Sequence, residues 1–295
     1  MQKLLWLGCL YFLCILGSQG RGVKRQDDFV LLAGPLAQPE LRTFSNGEHV
    51  AFDCSHPIPA NSKLYFEYLH SKGVTHVKVP LSWVQLLPTG LSSEPQPGVV
   101  RCYQTLLKQL LEEGLQPLVI LHGSDVPESL RSRYGGWESQ WLLEMFQQYA
   151  EFALKEFGPL AQSWVTFSDL DEVLHAGQAA GDHRLQNILQ LNKKIYQFYH
   201  HNFPGIGRRL SIGLKGRDEV ALSQLKGSTT VDFLSVDMDY SCASSTNFAE
   251  ELKNLQITTG NLPILIYRLT VHDCSHNEQE PLRDLLNVVE QTSAE

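Results

Sequence analysis

The stretch Tyr103-Gln-Thr-Leu-Leu-Lys-Gln-Leu-Leu-Glu-Glu-Gly-Leu-Gln-Pro-Leu-Val-Ile-Leu121 decides the fold class. In its first half Tyr103, Leu106, Leu107, Leu110 and Leu111 recur at i, i+3, i+4 spacing, the stripe of an amphipathic helix, and Gly114 stops it. Its second half, Leu115–Leu121, is a strand-length apolar run, continuous rather than alternating, as in a parallel strand covered on both faces. Outward from there the same alternation recurs. Runs of strand length stand at Phe29–Ala33, His76–Leu81, Ser163–Phe167, Leu210–Leu214, Val231–Val236 and Leu262–Tyr267. Helical stripes lie between them: Trp137, Trp141, Met145, Tyr149 and Phe152 on one, and Leu185, Ile188, Leu189, Ile195 and Tyr199 on another. Both stripes read as core rather than cofactor contacts. Seven strand–helix repeats fit an α/β fold of the (β/α)8 TIM-barrel type better than a doubly wound sheet. No Gly-X-Gly-X-X-Gly follows the first run, and no Gly-Lys-Ser/Thr loop occurs, so nothing supports a nucleotide site or a bound cofactor.

Composition narrows the function classes. The 295 residues carry 24 Lys and Arg against 32 Asp and Glu, a formal charge of −8. That balance speaks against a nucleic-acid partner, since phosphate attraction needs clustered cations. The length suits one barrel of roughly 250 residues plus a leader. Residues 1–20 read as a signal peptide: Lys3 supplies the positive start, Leu4–Leu16 the apolar run, and Gly17, Ser18 and Gly20 the small residues before a cut. This places the chain in the secretory pathway, secreted or at the cell surface. The run is shorter than the ~20 residues of a membrane span, and no later stretch is long enough either. Cys9 and Cys14 leave with the leader, and Cys54, Cys102, Cys242 and Cys274 remain. In an oxidising compartment these four favour two disulfides, with three connectivities open. His272-Asp-Cys-Ser-His276 has no second ligand pair to complete a zinc site, so no metal is expected.

In a barrel the chemistry sits at the C-terminal ends of the strands, and four segments there resemble glycoside hydrolase family 1, the β-glucosidase and lactase family. Leu81-Ser-Trp-Val-Gln-Leu-Leu-Pro88 is similar to the family's Ile-Ser-Trp-Ser-Arg-Ile-Phe-Pro. Gln116-Pro-Leu-Val-Ile-Leu-His-Gly-Ser-Asp-Val-Pro127 is similar to Glu-Pro-Met-Val-Thr-Leu-Phe-His-Trp-Asp-Leu-Pro. Tyr134-Gly-Gly-Trp137 matches the Tyr/His-Gly-Gly-Trp turn, and Trp164-Val-Thr-Phe-Ser-Asp169 resembles the segment ending Trp-Xaa-Thr-Phe-Asn-Glu-Pro. Val231-Asp-Phe-Leu234 resembles the start of the sixth strand. The resemblance runs through residues 29 to 290 in order, and it implies one barrel over 21–295. Placement along it favours Cys54–Cys102 and Cys242–Cys274 as the disulfides.

The resemblance also shows what the catalytic machinery lacks. Retaining members need two carboxyls about 5–5.5 Å apart, a Glu after strand four as acid and base and a Glu on strand seven as nucleophile. The first position holds Asp169, one methylene shorter. Aligning Pro263-Ile-Leu-Ile-Tyr-Arg-Leu-Thr270 with the family's Pro-Ile-Tyr-Val-Thr-Glu-Asn-Gly puts Arg268 at the second. A guanidinium stays protonated and cannot attack carbon. Gln85 replaces an arginine, and Gly123 and Ser124 replace a His-Trp pair, with His122 one step away. The sugar contacts expected to survive are His122, Trp83, Asp237 and Asp239, the last two being period-two neighbours able to pair as carboxylates or to bind Arg268. Pro281 to Gln291 reads as a helix, after which no eighth strand is readable, so the barrel is expected to be truncated before strand eight. The family resemblance thus implies a catalytically degenerate pro-region or interaction module of a lactase-like protein, with other barrel repeats of a longer chain as partners. The alternatives are a residual β-glycosidase using Asp169 with Asp237 or Asp239, and a co-receptor module that binds β-linked sugars without cleaving them.

Overall fold

The computed structural model describes residues 33–35, 76–122, 125–168, 170, 183–215, 222, 225, 229–241, 250, 254–255, 257–258 and 262–272. At 33–35, 215, 237–241 and 266–272 the backbone alone is described. Strands β1 (Ala33–Pro35), β2 (His76–Pro80), β3 (Gln116–His122), β4 (Ser163–Phe167) and β5 (Arg209–Ser211) form one parallel sheet in chain order. Strands β6 (Gly213–Lys215), β7 (Leu234–Ser241) and β8 (Ile264–His272) form a second, also parallel and in order. Helices α1 (Trp83–Leu86), α2 (Pro97–Glu112), α3 (Glu128–Tyr134), α4 (Gln140–Phe157) and α5 (Arg184–Asn202) fall between the strands.

Local chemistry sets these boundaries. Pro97 stands at the first position of α2, where its missing N–H costs nothing. Gly114 follows the helix at φ +75°, a left-handed conformation that lets the chain turn straight into β3. The main core lies between sheet and helices: Val119 and Leu121 of β3 meet Leu106, Leu107 and Leu110 of α2 and Phe146, Tyr149 and Leu154 of α4 in one buried cluster. A second cluster contains only Leu118, Ile120, Val165, Phe233 and Leu265. All five lie on or beside strands, and they come from both sheets. The two sheets therefore curl around a common interior, the arrangement of a barrel wall with helices outside. Lys78, level with Leu118, is buried on that inner face.

Several boundaries differ from the sequence reading. The first strand is Ala33–Pro35, at the end of the expected Phe29–Ala33 run, whose other residues lie outside the described set. The fifth run is broken at Ile212, so that β5 pairs with β4 while β6 pairs with β7. Gly213 explains the close approach at the break. A Cβ there would stand 2.6 Å from the carbonyl oxygen of Ser168 and 2.7 Å from that of Phe167. The sixth strand begins at Leu234 rather than Val231 and continues to Ser241, taking in polar Asp237 and Asp239, because pairing with β8 sustains it beyond the apolar run.

The stripe assigned to α4 is displaced. Its buried face is Leu142, Leu143, Phe146, Tyr149, Ala150, Ala153, Leu154 and Phe157. Trp137 precedes the helix, and Trp141 is 62% exposed. The small residues Ala150 and Ala153 are fully buried, and the bulky Trp141 in the first turn stays largely in solvent, stacked on Tyr134 at 6.3 Å. Residues 281–291, read as a helix, lie outside the described set, and among the described residues no strand joins β8 to β1. No helix among the described residues is long and apolar enough to cross a membrane.

Candidate functional site

The C-terminal ends of the parallel strands are joined by a network that the sequence motifs only hinted at. Ser82 follows β2 and caps α1, its Oγ accepting from the Gln85 N–H at 3.1 Å. The same hydroxyl donates to Oδ2 of Asp125 at 2.6 Å, and the Val84 N–H donates to that oxygen at 3.2 Å. The Ser82 N–H donates to the Tyr103 hydroxyl at 3.0 Å, which in turn donates to the Pro80 carbonyl at 3.3 Å. One carboxylate thus ties the segment after β2 to the segment after β3. Asp125 is a positioning residue that the sequence reading left unassigned. Its only signal there was its place in the Asp-Val-Pro end of the Gln116–Pro127 motif.

Trp83 and His122, expected at a sugar, are buried rings. The Trp83 indole is fully buried, stacked on Tyr149 (centroids 5.1 Å apart, planes 13° apart) and edge-on to Phe146 at 5.5 Å. His122 is 5% exposed, with Trp137 at 4.9 Å, Phe167 at 5.4 Å and Phe146 at 6.0 Å around its ring. Its Nε2 and the Trp83 Nε1 are buried without a hydrogen-bond partner among the described residues. Burial holds the imidazole down at about 4 although the Asp125 carboxylate pulls the other way, so the ring is neutral at physiological pH. This is the environment of a phenylalanine, which is the residue that the ungapped alignment sets opposite His122. No sequence periodicity distinguishes such a histidine from a ligand-facing one.

Asp169 lies outside the described residues. The residue before it, Ser168, ends β4 with its N–H on the His122 carbonyl at 3.0 Å. Arg268 lies on β8, where its register partner is Asp237 of β7, and Asp237 is also the register partner of Lys215 on β6. Asp239 is level with Thr270. The register between β7 and β8 shifts once, between Val236 and Asp237, where β8 advances by one extra residue, Tyr267. Just before β7 the inner-facing Phe233 shares its face, at period two, with Ser235. A lysine, an aspartate and an arginine therefore stand level on three neighbouring strands. Sequence alignment could place Arg268 near a strand end, but only the pairing sets it level with Asp237 and Lys215.

Cys102 on α2 is disulfide-bonded, and the other cysteines lie outside the described residues, as does most of His272–His276. Among the described residues no three His, Cys, Asp or Glu side chains come together in a way that could hold a metal ion. At the opposite end of the barrel, Asp232 accepts from the Tyr196 hydroxyl at 2.8 Å and from the Leu210 N–H at 2.7 Å, and its Oδ2 lies 2.9 Å from Nε2 of His200. This cluster ties α5 to the sheet, which gives the half of His200-His201 nearer the core a structural task.

Residues 17–250 match the model of glycosyl hydrolase family 1. The chain belongs to that family. Human lactase/phlorizin hydrolase is 32% identical over 308 residues, covering 98% of this chain and 16% of the relative, and mouse Klotho is 32% identical over 201 residues, covering 63% and 19%. This family 1 chain therefore spans about a sixth of the length of the lactase/phlorizin hydrolase it matches. The family 1 β-glucosidase of Thermotoga maritima shares the fold, with a TM-score of 0.59 at 15% identity over 79% of this chain and 73% of that structure. The barrel read from the strand runs is the family 1 barrel.

Proposed function

We propose that this family 1 domain has lost glycoside hydrolysis and serves in the secretory pathway as a pro-region or interaction module of a lactase-like protein. The observation that supports the reading is the register of Arg268 on β8, level with Asp237 of β7, at the position where alignment to the family sets the nucleophile. A cation there cannot form a covalent glycosyl intermediate and opposes the positive charge that develops on the sugar ring. A residual glycosidase built on Asp169 with Asp237 finds no favour in this register, because Asp237 stands between two cationic positions, Lys215 and Arg268.

The other parts of the proposal follow the sequence. Residues 1–20 act as the signal peptide, and 21–295 form the barrel unit. Cys102 pairs with Cys54, and Cys242 with Cys274. The partner is another family 1 barrel, and β-linked sugars are the ligand class if the mouth still binds one. The test is release of nitrophenol from an aryl β-glucoside by the purified chain. No release above the uncatalysed rate is expected. Release that disappears in Asp169→Ala would overturn the reading.

A further inference from the structure

We propose that Trp141, with Tyr134, Glu144 and Gln148 around it, forms a surface site for a β-linked glucosyl chain on the outer rim of the barrel mouth. The chain leaves β3 at His122, and α4 runs back to the start of β4 at Ser163. The first turn of α4, which carries Trp141, therefore stands at the mouth end of the helical layer. The Trp141 indole is 62% exposed, whereas Trp83, Trp137 and Trp164 are buried. Packing gives no reason for the ring, because α4 completes its buried face without it.

The ring is held in place before any ligand arrives. It lies against the Tyr134 ring with centroids 6.3 Å apart and planes 23° apart, and the Arg133 guanidinium stands over that tyrosine at 5.4 Å. The two rings come from different helices, and hydrogen bonds fix the turn that joins them. The Gly135 N–H donates to the Arg131 carbonyl at 2.9 Å, the Gly136 N–H to Oε1 of Glu138 at 3.2 Å, and the Ser139 N–H to the Gly136 carbonyl at 3.0 Å. A platform fixed in this way loses little entropy on binding. Glu144 and Gln148 follow Trp141 at i+3 and i+7 on the exposed side of α4, and helical side chains lean toward the N-terminus, here toward the indole. Neither side chain has a hydrogen-bond partner among the described residues. A planar apolar ring beside an unengaged carboxylate and amide matches a pyranose whose substituents are all equatorial. The axial C–H bonds of such a sugar meet the negative face of the indole, and its hydroxyls find an acceptor in Glu144 and both a donor and an acceptor in Gln148. Gln148 stands about 10 Å along the helix from Trp141, so the site spans more than a single sugar. A protein partner calls instead for a ring ringed by other contacts that exclude water.

The site is distinct from the Asp169 and Arg268 positions, and the experiment separates the two. The full chain is titrated with cellotetraose and with maltotetraose, an α-linked control of the same size, by calorimetry and by tryptophan fluorescence. Because the other described tryptophans are buried, a blue shift and protection from acrylamide quenching report on Trp141. Cellotetraose is expected to bind saturably and at least tenfold more tightly than maltotetraose. Trp141→Ala is expected to weaken cellotetraose binding at least tenfold and to remove the fluorescence change, with thermal unfolding unaltered, and Gln148→Ala to weaken binding several-fold. If Trp141→Ala fails to fold, Trp141→Gln and Gln148→Ala carry the same test. Equal affinity for the two tetrasaccharides, or undiminished binding in the Trp141 variants, overturns the site. Binding lost in Asp169→Ala but kept in Trp141→Ala places the sugar in the mouth and also overturns it. No binding of either sugar, with self-association that Trp141→Ala abolishes, assigns the ring to a protein contact and overturns it as well. Cleavage of cellotetraose during the titration would instead overturn the non-catalytic reading while leaving the surface site standing.

Discussion

Replacing His122 with phenylalanine should make the protein more stable, and increasingly so as the pH falls. The ring is 5% exposed and boxed by Trp137, Phe146 and Phe167 at centroid distances of 4.9 to 6.0 Å. Its Nε2 is buried without a partner among the described residues, and an unsatisfied buried polar atom costs about 1–3 kcal/mol. A phenyl ring removes that cost and adds apolar contact with three aromatic neighbours. Its slightly greater volume offsets some of the gain through crowding, which leaves about 1–2 kcal/mol at pH 7.5. At that pH the imidazole is neutral in both the folded and the unfolded chain, so titration contributes nothing.

Acid separates the two proteins further. The unfolded histidine takes up its proton near 6.5, whereas the folded one resists until about 4. Between those values the unfolded state binds the proton and the folded state does not, so wild-type stability falls as pH is lowered through this window. The loss is about 2 kcal/mol at pH 5 and levels off near 3 kcal/mol below pH 4. His76, whose pKa burial also lowers to about 4, contributes equally to both proteins and cancels. Guanidinium unfolding of wild type and His122→Phe at pH 7.5 and pH 5 reads the difference directly. The advantage of the variant should grow from about 1–2 to about 3–4 kcal/mol. A difference that stays constant with pH would refute the neutral buried histidine, and a variant less stable at both pH values would refute the phenylalanine-like pocket.

Other outcomes follow from single contacts. Gly213→Ala should cost at least about 2 kcal/mol in thermal unfolding, because its Cβ would meet the backbone oxygens of Ser168 and Phe167 at 2.6 and 2.7 Å and neither can step aside. Asp125→Ala should cost about 1.5–3 kcal/mol and speed hydrogen exchange at the Val84 amide, since it removes the acceptor shared by that amide and the Ser82 hydroxyl. Asn192→Ala should cost about 2 kcal/mol, as it strips the Thr166 hydroxyl of its 2.7 Å acceptor and the Thr230 carbonyl of its 2.9 Å donor in a fully buried position. Trp141→Ala should change stability by no more than about 0.5 kcal/mol, because this indole is largely in solvent. A loss comparable to that of a core tryptophan would show that its exposed face is covered.

Much of this architecture is legible along the chain, and its failures are of one kind. The helix from Tyr103 and the strand ending at Leu121 could be read because a buried stripe and a buried run have different periods. The face of α4 differs from the sequence reading because Trp141 weighs heavily in any apolar pattern, while Ala150 and Ala153, which are buried, weigh little. The break at Ile212 carries no sequence mark beyond a glycine. His122 reads equally well as a ligand or as a core residue, and only its three aromatic neighbours decide between them. Ser82 and Asp125 are 43 residues apart, so their 2.6 Å hydrogen bond is invisible to any local pattern.

The order of the chain, by itself, determined the parallel strand–helix alternation, the family, and the presence of Arg268 on the seventh run. These follow from periodicity and from residue types at fixed spacing, which are properties of neighbours along the backbone. The tertiary structure decided which residues stand level with one another at the strand ends. One extra residue at Tyr267 sets Arg268 level with Asp237 and Lys215. Side chains in a strand alternate with a period of two, so a shift of one residue reverses every assignment beyond it. Which residue bulges is settled by pairing with a strand some thirty residues away, in this case β7.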